Sequence, residues 1–332
     1  MLRYIVYRLA IMVPTLLVIS FVVFVIIQAP PGDYLSTYIA ELQSQGSAVD
    51  PSKIAALRAE YGLDQPFLVQ YATWVMGLLH GNMGYSFEYS QPVSQIVGDR
   101  LLLTMVLSVA TIIFIWVVSF PIAIYSATHQ YSLGDYLASL LGFLGLATPS
   151  FLLALLLLYF AHVRFGISIG GLMDPVYLDQ PWSLDKVRSL LAHLWVPVVV
   201  IGTSGTAGMI RRLRANLLDE LQKQYVTTGR AKGLPPGRLL FKYPLRMSLN
   251  PFISDIGSLL PEVVSGAVVV SVVMSLPTTG PMLLDALRSQ DMYLAGSFLM
   301  FLALLTVVGV FISDLLLAVL DPRIRLGAGA SK

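Results

Sequence analysis

Apolar runs long enough to cross a membrane constrain this chain more than any other feature. Six of them fall at 9–29, 101–128, 136–163, 191–210, 252–276 and 294–320. An α-helix rises 1.5 Å per residue, so roughly 20 apolar residues cross the ~30 Å hydrocarbon core of a bilayer. A large soluble core can hide one such helix. Six, in a chain with only 12% charged and 56% hydrophobic residues, predict an all-α membrane protein with six transmembrane helices. The first run exceeds the apolar region of a secretory signal, and "PPGDYL" after it makes a poor cleavage site, so it is expected to stay as a helix.

Cations set the orientation. With the N-terminus inside, Arg3, Arg8, the cluster at 211–246 and the tail cations Arg323, Arg325 and Lys332 all face the cytoplasm. Lys53, Arg58, Arg100, Arg164, Lys186, Arg188 and Arg288 then face outward. The excess inside predicts N-in and C-in. The chain divides accordingly into 1–29, an outer segment 30–100, a five-helix core 101–320 that contains a cytoplasmic loop at 211–251, and a tail at 321–332. The outer segment reads as ordered. "PSKIAALRAEYGL" places Ile54, Leu57 and Tyr61 at helical spacing, and "QPFLVQYATWVMGLLHG" is a second, apolar helix. Gly81, Gly84 and Gly98 are expected at turns, Tyr71, Trp74 and Tyr85 in an interfacial belt, and 164–190 as a loop.

Several chemistries drop out. There are no cysteines, which removes disulfides, thiol catalysis and cysteine-based metal sites. His80, His129, His162 and His193 are scattered without ligand spacing, so no metal site is expected. A net charge of +2 gives no overall field for nucleic acid. No G-x-x-x-x-G-K-[ST] phosphate loop occurs, and "GTSGTAGMIRR" lies within a span, where small residues serve helix packing. With no nucleophile elbow, H-E-x-x-H or triad pattern, the chain is expected to be no catalyst and to bind no cofactor of its own.

The cationic loop is too long for a plain connector. "MIRRLRANLLDELQKQYVTTGRAKG" is compatible with helix from the fourth span to Gly233, "GLPPG" breaks it, and "GRLLFKYPLRMSLN" is expected to return as a second helix. Arg230 and Lys232 stand at the tip. Charge alone allows two readings, a topology anchor or a docking element; the helix–break–helix pattern favours docking.

Along the fifth run, Ser254, Ser258, Glu262, Ser265 and Gly266 share one helical face. A carboxylate inside an apolar span faces a polar cavity or a partner group, so Glu262 either lines a pathway or pairs with a neighbouring helix. Gly142, Gly145, Gly202 and Gly205 suit close helix contacts, and Pro121 and Pro149 suit kinks.

"QYVTTGRAKGLPPGRLLFKYPLRMSLNP" resembles the cytoplasmic loop of permease subunits of binding-protein-dependent ABC importers, nearest the peptide/nickel branch with its "YVRTARAKG" loop. The likeness extends through "MLRYIVYRLAIMVPTLLVISFVVFVIIQAPPGD", "YGLDQPFLVQYATWVMGLLHGNMGYSF", "LATPSFLLALLLLYF" and "LLLAVLDPRIRL". It implies a type I ABC importer permease fold in a bacterial inner membrane, with a coupling helix between spans four and five. That helix would seat in a cytoplasmic ATPase through Tyr225, Val226, Thr228, Arg230, Ala231, Lys232, Gly233 and Leu234. Thr227, Thr228 and Gly229 depart from the family pattern, and Gly229 in a helix interior costs about 0.5–1 kcal/mol relative to Ala.

The same resemblance implies a second homologous permease, two ATPase subunits that carry the ATP and Mg, an extracytoplasmic solute-binding protein, and contact with membrane lipid. It also implies a structural pairing for Asp314. Di- or oligopeptides are the first expectation for the solute, with oligosaccharides, opines and nickel as alternatives. "SLPTTGPMLLDALRSQDMYLAG" departs from the "PGLG" of peptide members, and Ser271 stands where an acidic residue is usual. A secondary transporter or channel is the rival class, and a membrane-bound scaffold or receptor a third. No inverted repeat is evident, and the hairpin has no role in ATPase-independent transport.

Overall fold

The computed structural model describes residues 2–29, 64–86, 88–89, 91–178 and 180–320. In chain order the elements are α1 (Leu2–Gln28), α2 (Phe67–Leu79), strands β1 (Tyr85–Ser86) and β2 (Gln91–Pro92), α3 (Val93–Thr128), α4 (Leu133–Ala147) and α5 (Ser150–Phe165). A 3-10 turn at Pro175–Tyr177 precedes α6 (Leu184–Leu221), α7 (Gln224–Ala231), α8 (Pro236–Lys242), α9 (Pro244–Ser248), α10 (Asn250–Gly266), α11 (Val268–Val273), α12 (Thr279–Arg288) and α13 (Met292–Leu320). The helix expected in "PSKIAALRAEYGL" lies outside the described residues.

Four of these helices, α1, α3, α6 and α13, are long and apolar enough to cross a membrane, and α4 with α5 makes a fifth candidate bent by 97°. The third apolar run is therefore an elbow. Pro149 lacks an amide donor and forces extended backbone before it, and Thr148 obliges with ψ 117°. The fifth run is divided as well. It carries α10 and α11, separated at Ala267 directly after Gly266, and Pro261 removes one more helical donor. An apolar count cannot register such interruptions.

The chain forms two compact units. One comprises Leu2–Leu103 and Thr278–Val307. Its core is Val23, Phe24 and Trp74, with Tyr71, Met292 and Tyr293 packed against them. Phe24 meets Phe67 and Tyr71 edge-on, at centroid distances of 5.0 and 5.5 Å. The β1–β2 hairpin is fixed by Asp291, which is fully buried. Its carboxylate accepts from Ser86 Oγ at 2.6 Å, Glu88 N at 3.2 Å and Leu294 N at 3.1 Å, so it also caps α13. Gly84 has φ +84°, and a Cβ there would stand 2.3 Å from Tyr293 Cδ1. Gly98, expected at a turn, is helical: Val93, Ile96 and Val97 bury one face of α3 from its first turn.

The other unit holds Thr104–Pro277 and the chain from Val308 onward. Its axis is α6, packed on α4, α5 and α9. Gly202 and Gly205 let α3 approach closely; added Cβ atoms would stand 2.6 Å from Phe114 Cδ1 and 2.7 Å from Ile115 Cδ1. Gly145 of α4 lies against Thr203 and Ala207, whereas Gly142 has open space around it. The loop expected at 164–190 ends early. Ser183 caps α6 by accepting from Lys186 N at 3.2 Å, so the helix begins seven residues before the apolar run. Lys186 Nζ donates to the carbonyls of Gln180 at 2.7 Å and Leu178 at 3.3 Å. Leu137, Leu141 and Phe143 of α4, and Leu155 and Phe160 of α5, are exposed apolar residues suited to lipid.

Candidate functional site

The cationic hairpin begins with a break the sequence did not announce. Instead of running on to Gly233, α6 stops at Leu221, and Lys223 adopts extended backbone (φ −67°, ψ 148°) before α7. Burial gives the reason. Leu217 and Val226 are both fully buried, yet nine residues of straight helix would set them about 180° apart. Breaking the helix lets α7 turn Val226 and Gly229 inward. Leu239 of α8 fills the space above Gly229, where a Cβ would stand 2.5 Å from Leu239 Cδ1.

The tip closes with paired reverse bonds. Leu234 N donates to Gly229 O at 3.2 Å, and Gly233 N donates to Arg230 O at 2.9 Å. This is a Schellman cap, with Gly233 at φ +75° in the left-handed position it requires. The Leu234 side chain folds back toward Gly229, and Pro236 opens α8 where a missing amide is harmless. The expected single return helix is two. Tyr243 leaves the helical region before Pro244, dividing α8 from α9. Leu245 of α9 then packs with Ala127 and Leu217, which roots the hairpin on α3 and α6.

Of the eight residues expected at the coupling site, Tyr225, Thr228, Arg230, Ala231, Lys232 and Gly233 are exposed. Val226 belongs to the hairpin's own core, and Leu234 is half-buried. Tyr225 Oη donates to Glu220; partial desolvation of this exposed side chain, and then this acceptor, raise the phenol above its ordinary pKa. Beside α7 lies a groove of 470 Å³ bounded by Thr128, Leu221, Arg230, Leu234, Pro236 and Leu239.

Ten residues before α7, Arg214 makes a two-pronged pair with Asp135, Nη2 to Oδ2 at 2.7 Å and Nε to Oδ1 at 2.8 Å. Ser126 Oγ and Tyr131 N also donate to this carboxylate, which is 3% exposed. The turn between α3 and α4 is thereby joined to α6. Sequence reasoning treated Arg214 only as a topology charge. The missed signal was Ser132-x-x-Asp135, a helix-start pattern whose Asp135 N donates to Ser132 Oγ at 3.2 Å.

A second feature is a cavity of 610 Å³ bounded by α3, α4, α5, α6 and α10. Ser150, Ser204, Gly205, Gly208, Arg212, Asp255, Glu262 and Gly266 contribute to its walls. Arg212 Nη1 meets Asp255 Oδ2 at 2.8 Å. Glu262 is thus exposed and lines this space. Ser265 is exposed too, but its hydroxyl donates to the carbonyl of Glu262 at 3.2 Å. The side chains of Ser254 and Ser258 lie outside the description. Neither Arg212 nor Asp255 was anticipated as a lining residue; their separation in sequence hides the pairing.

A family model described as the inner membrane component of binding-protein-dependent transport systems matches residues 119–326. A second, for the N-terminal part of such membrane components, matches 1–108. The chain belongs to this family. The permease is 33% identical to the oligopeptide transport system permease protein AppB of Bacillus subtilis, over 98% of this chain and all of that protein. It is 29% identical to the dipeptide transport system permease protein DppB of Escherichia coli, over 98% of this chain and 99% of that protein. It is therefore an inner-membrane permease subunit of a binding-protein-dependent ABC importer, a non-catalytic component. Membership also removes the secondary-transporter and scaffold readings.

Proposed function

We propose that this permease imports di- or oligopeptides delivered by an extracytoplasmic binding protein, and that it docks an ATPase through α7 and its Gly233 cap. The chain crosses the membrane six times, N-in and C-in, with α10–α11 as the interrupted fifth crossing. A homologous permease completes the pathway, and each permease engages one of two ATPase subunits, which hold the ATP and Mg. The observation that carries the docking reading is the exposed, Schellman-capped α7, with Arg230 and Lys232 at its end. Full-length similarity to permeases named for peptides supports the solute class.

The mechanism follows from how the hairpin is built. Buried Val226, Gly229 and Leu239 make α7, its cap and α8 one packed body. Leu245 roots that body on Ala127 and Leu217. A push on the tip is passed to α3 and α6 instead of being absorbed by a loose loop. Because the chain has no cysteine, a single cysteine placed at Lys232 reports its side directly. Labelling by an impermeant maleimide only from the cytoplasmic face is expected; labelling from outside overturns the topology. Purification with the binding protein should recover two ATPase subunits, a second permease and bound peptide. Recovery of a sugar or metal ion instead overturns the solute assignment.

A further inference from the structure

The 610 Å³ cavity carries opposite charges on facing helices. Arg212 comes from α6, Asp255 and Glu262 from α10, and all three line the same space. We propose that the Arg212–Asp255 pair is a recognition element for zwitterionic solutes: the solute's carboxylate replaces Asp255 on Arg212, while its ammonium group takes Asp255 or Glu262. This inference rests on the peptide-import reading above.

Four observations converge on it. The volume lies within the range of small-molecule sites. The pair is exposed, with side chains 51% and 40% accessible, so water and a solute's charges can reach and compete for the Arg212–Asp255 contact. Among the described residues, Arg212 meets Asp255 through Nη1 alone, and its planar fork suits a carboxylate better than a point charge would. Finally, the guanidinium lies 5.4 Å from the ring centre of Phe252, a side chain only 1% exposed. That fixed aromatic surface keeps Arg212 aimed at the cavity when Asp255 lets go. A solute lacking either charge gives the pair no reason to part.

The test uses the complete importer, with its binding protein, in proteoliposomes. Uptake of trialanine, its C-terminal amide and its N-acetyl form is measured, and each variant's rate is divided by the wild-type rate for the same compound. The binding protein's own preference then cancels. Arg212→Gln is expected to slow trialanine about tenfold or more while slowing the amide by less than about twofold. Arg212→Lys, which keeps the charge and loses the fork, should fall between the two for trialanine. Asp255→Asn should slow trialanine, which carries both charges, and spare the N-acetyl form and the amide, which each lack one. Co-purification of the ATPases and the second permease verifies assembly. Equal slowing of all three compounds in assembled variants, or no slowing at all, overturns the recognition role and leaves peptide import standing. Failure of the wild-type importer to take up any of the three overturns the peptide reading, and the inference falls with it.

Discussion

Removing the carboxylate of Asp135 should be among the most damaging single changes in this permease. Asp135 is 3% exposed and accepts from Arg214, Ser126 and Tyr131 N. Taking away one partner of a buried ion pair costs about 3–5 kcal/mol, because the remaining charge stays desolvated. Arg214 retains 25% exposure of its side chain, so water can reach it in part and the lower end, about 3 kcal/mol, is the better figure for Asp135→Ala. Tyr131, held at φ +65° with its amide on this carboxylate, loses its anchor as well. Asp135→Asn keeps the shape and loses the charge, so about 1.5–3 kcal/mol is expected. At about 2 °C per kcal/mol for a chain of this size, the alanine variant should melt roughly 6 °C lower in detergent, and the asparagine variant roughly 3–6 °C lower. A double-mutant cycle with Arg214→Met should show a coupling of about 2 kcal/mol, since the paired removal leaves no orphan charge. A shift in Tm below about 1 °C, or a coupling below about 0.5 kcal/mol, would refute the reasoning.

Other outcomes follow from the hairpins. Gly229→Val should loosen the α7–α8 hairpin because its side chain meets Leu239; combined with Leu239→Ala it should cost less than the sum of the two by about 1 kcal/mol, read from thermal unfolding. Gly84→Ala should cost about 1–3 kcal/mol through its φ of +84° and its clash with Tyr293. Limited proteolysis at 82–92 checks it, and Tyr293→Leu should restore only part of the loss because the backbone strain stays. Arg230→Glu should leave the permease inserted and the binding protein able to dock, yet sharply reduce solute-stimulated ATP hydrolysis and uptake; Lys53→Glu serves as the control. Normal transport in Arg230→Glu, with ATPase contact intact, reduces the cationic tip to a topology signal.

Hydropathy located the apolar segments because lipid burial depends on composition, and composition is local. It did not locate the interruptions. The elbow at Pro149 and the division at Ala267 depend on single residues that a window average absorbs. Gly233 was legible because few arrangements other than a left-handed cap follow a helix with Lys-Gly-Leu-Pro. The break at Lys223 was not, since nothing near it disfavours helix; it arises from the incompatible facing of Leu217 and Val226. The pairings Asp135–Arg214 and Arg212–Asp255 were invisible for the same kind of reason. Each joins residues far apart in the chain, and charge at one position says nothing about where its opposite lies. Gly229, a departure that seemed only to weaken a helix, makes room for Leu239.

The 38 residues of α6 extend over about 57 Å, nearly twice the ~30 Å hydrocarbon thickness of a bilayer. At one end Lys186 is gripped by the carbonyls of Leu178 and Gln180, and at the other Arg214 is gripped by Asp135. A strut fixed at both ends flexes where it is weakest. Pro197, buried within α6, removes the hydrogen bond that an amide there would give to the carbonyl of His193. Pro197 is thus the point at which α6 bends most easily, and the segment between it and Arg214 contributes Ser204, Gly205, Gly208 and Arg212 to the cavity wall.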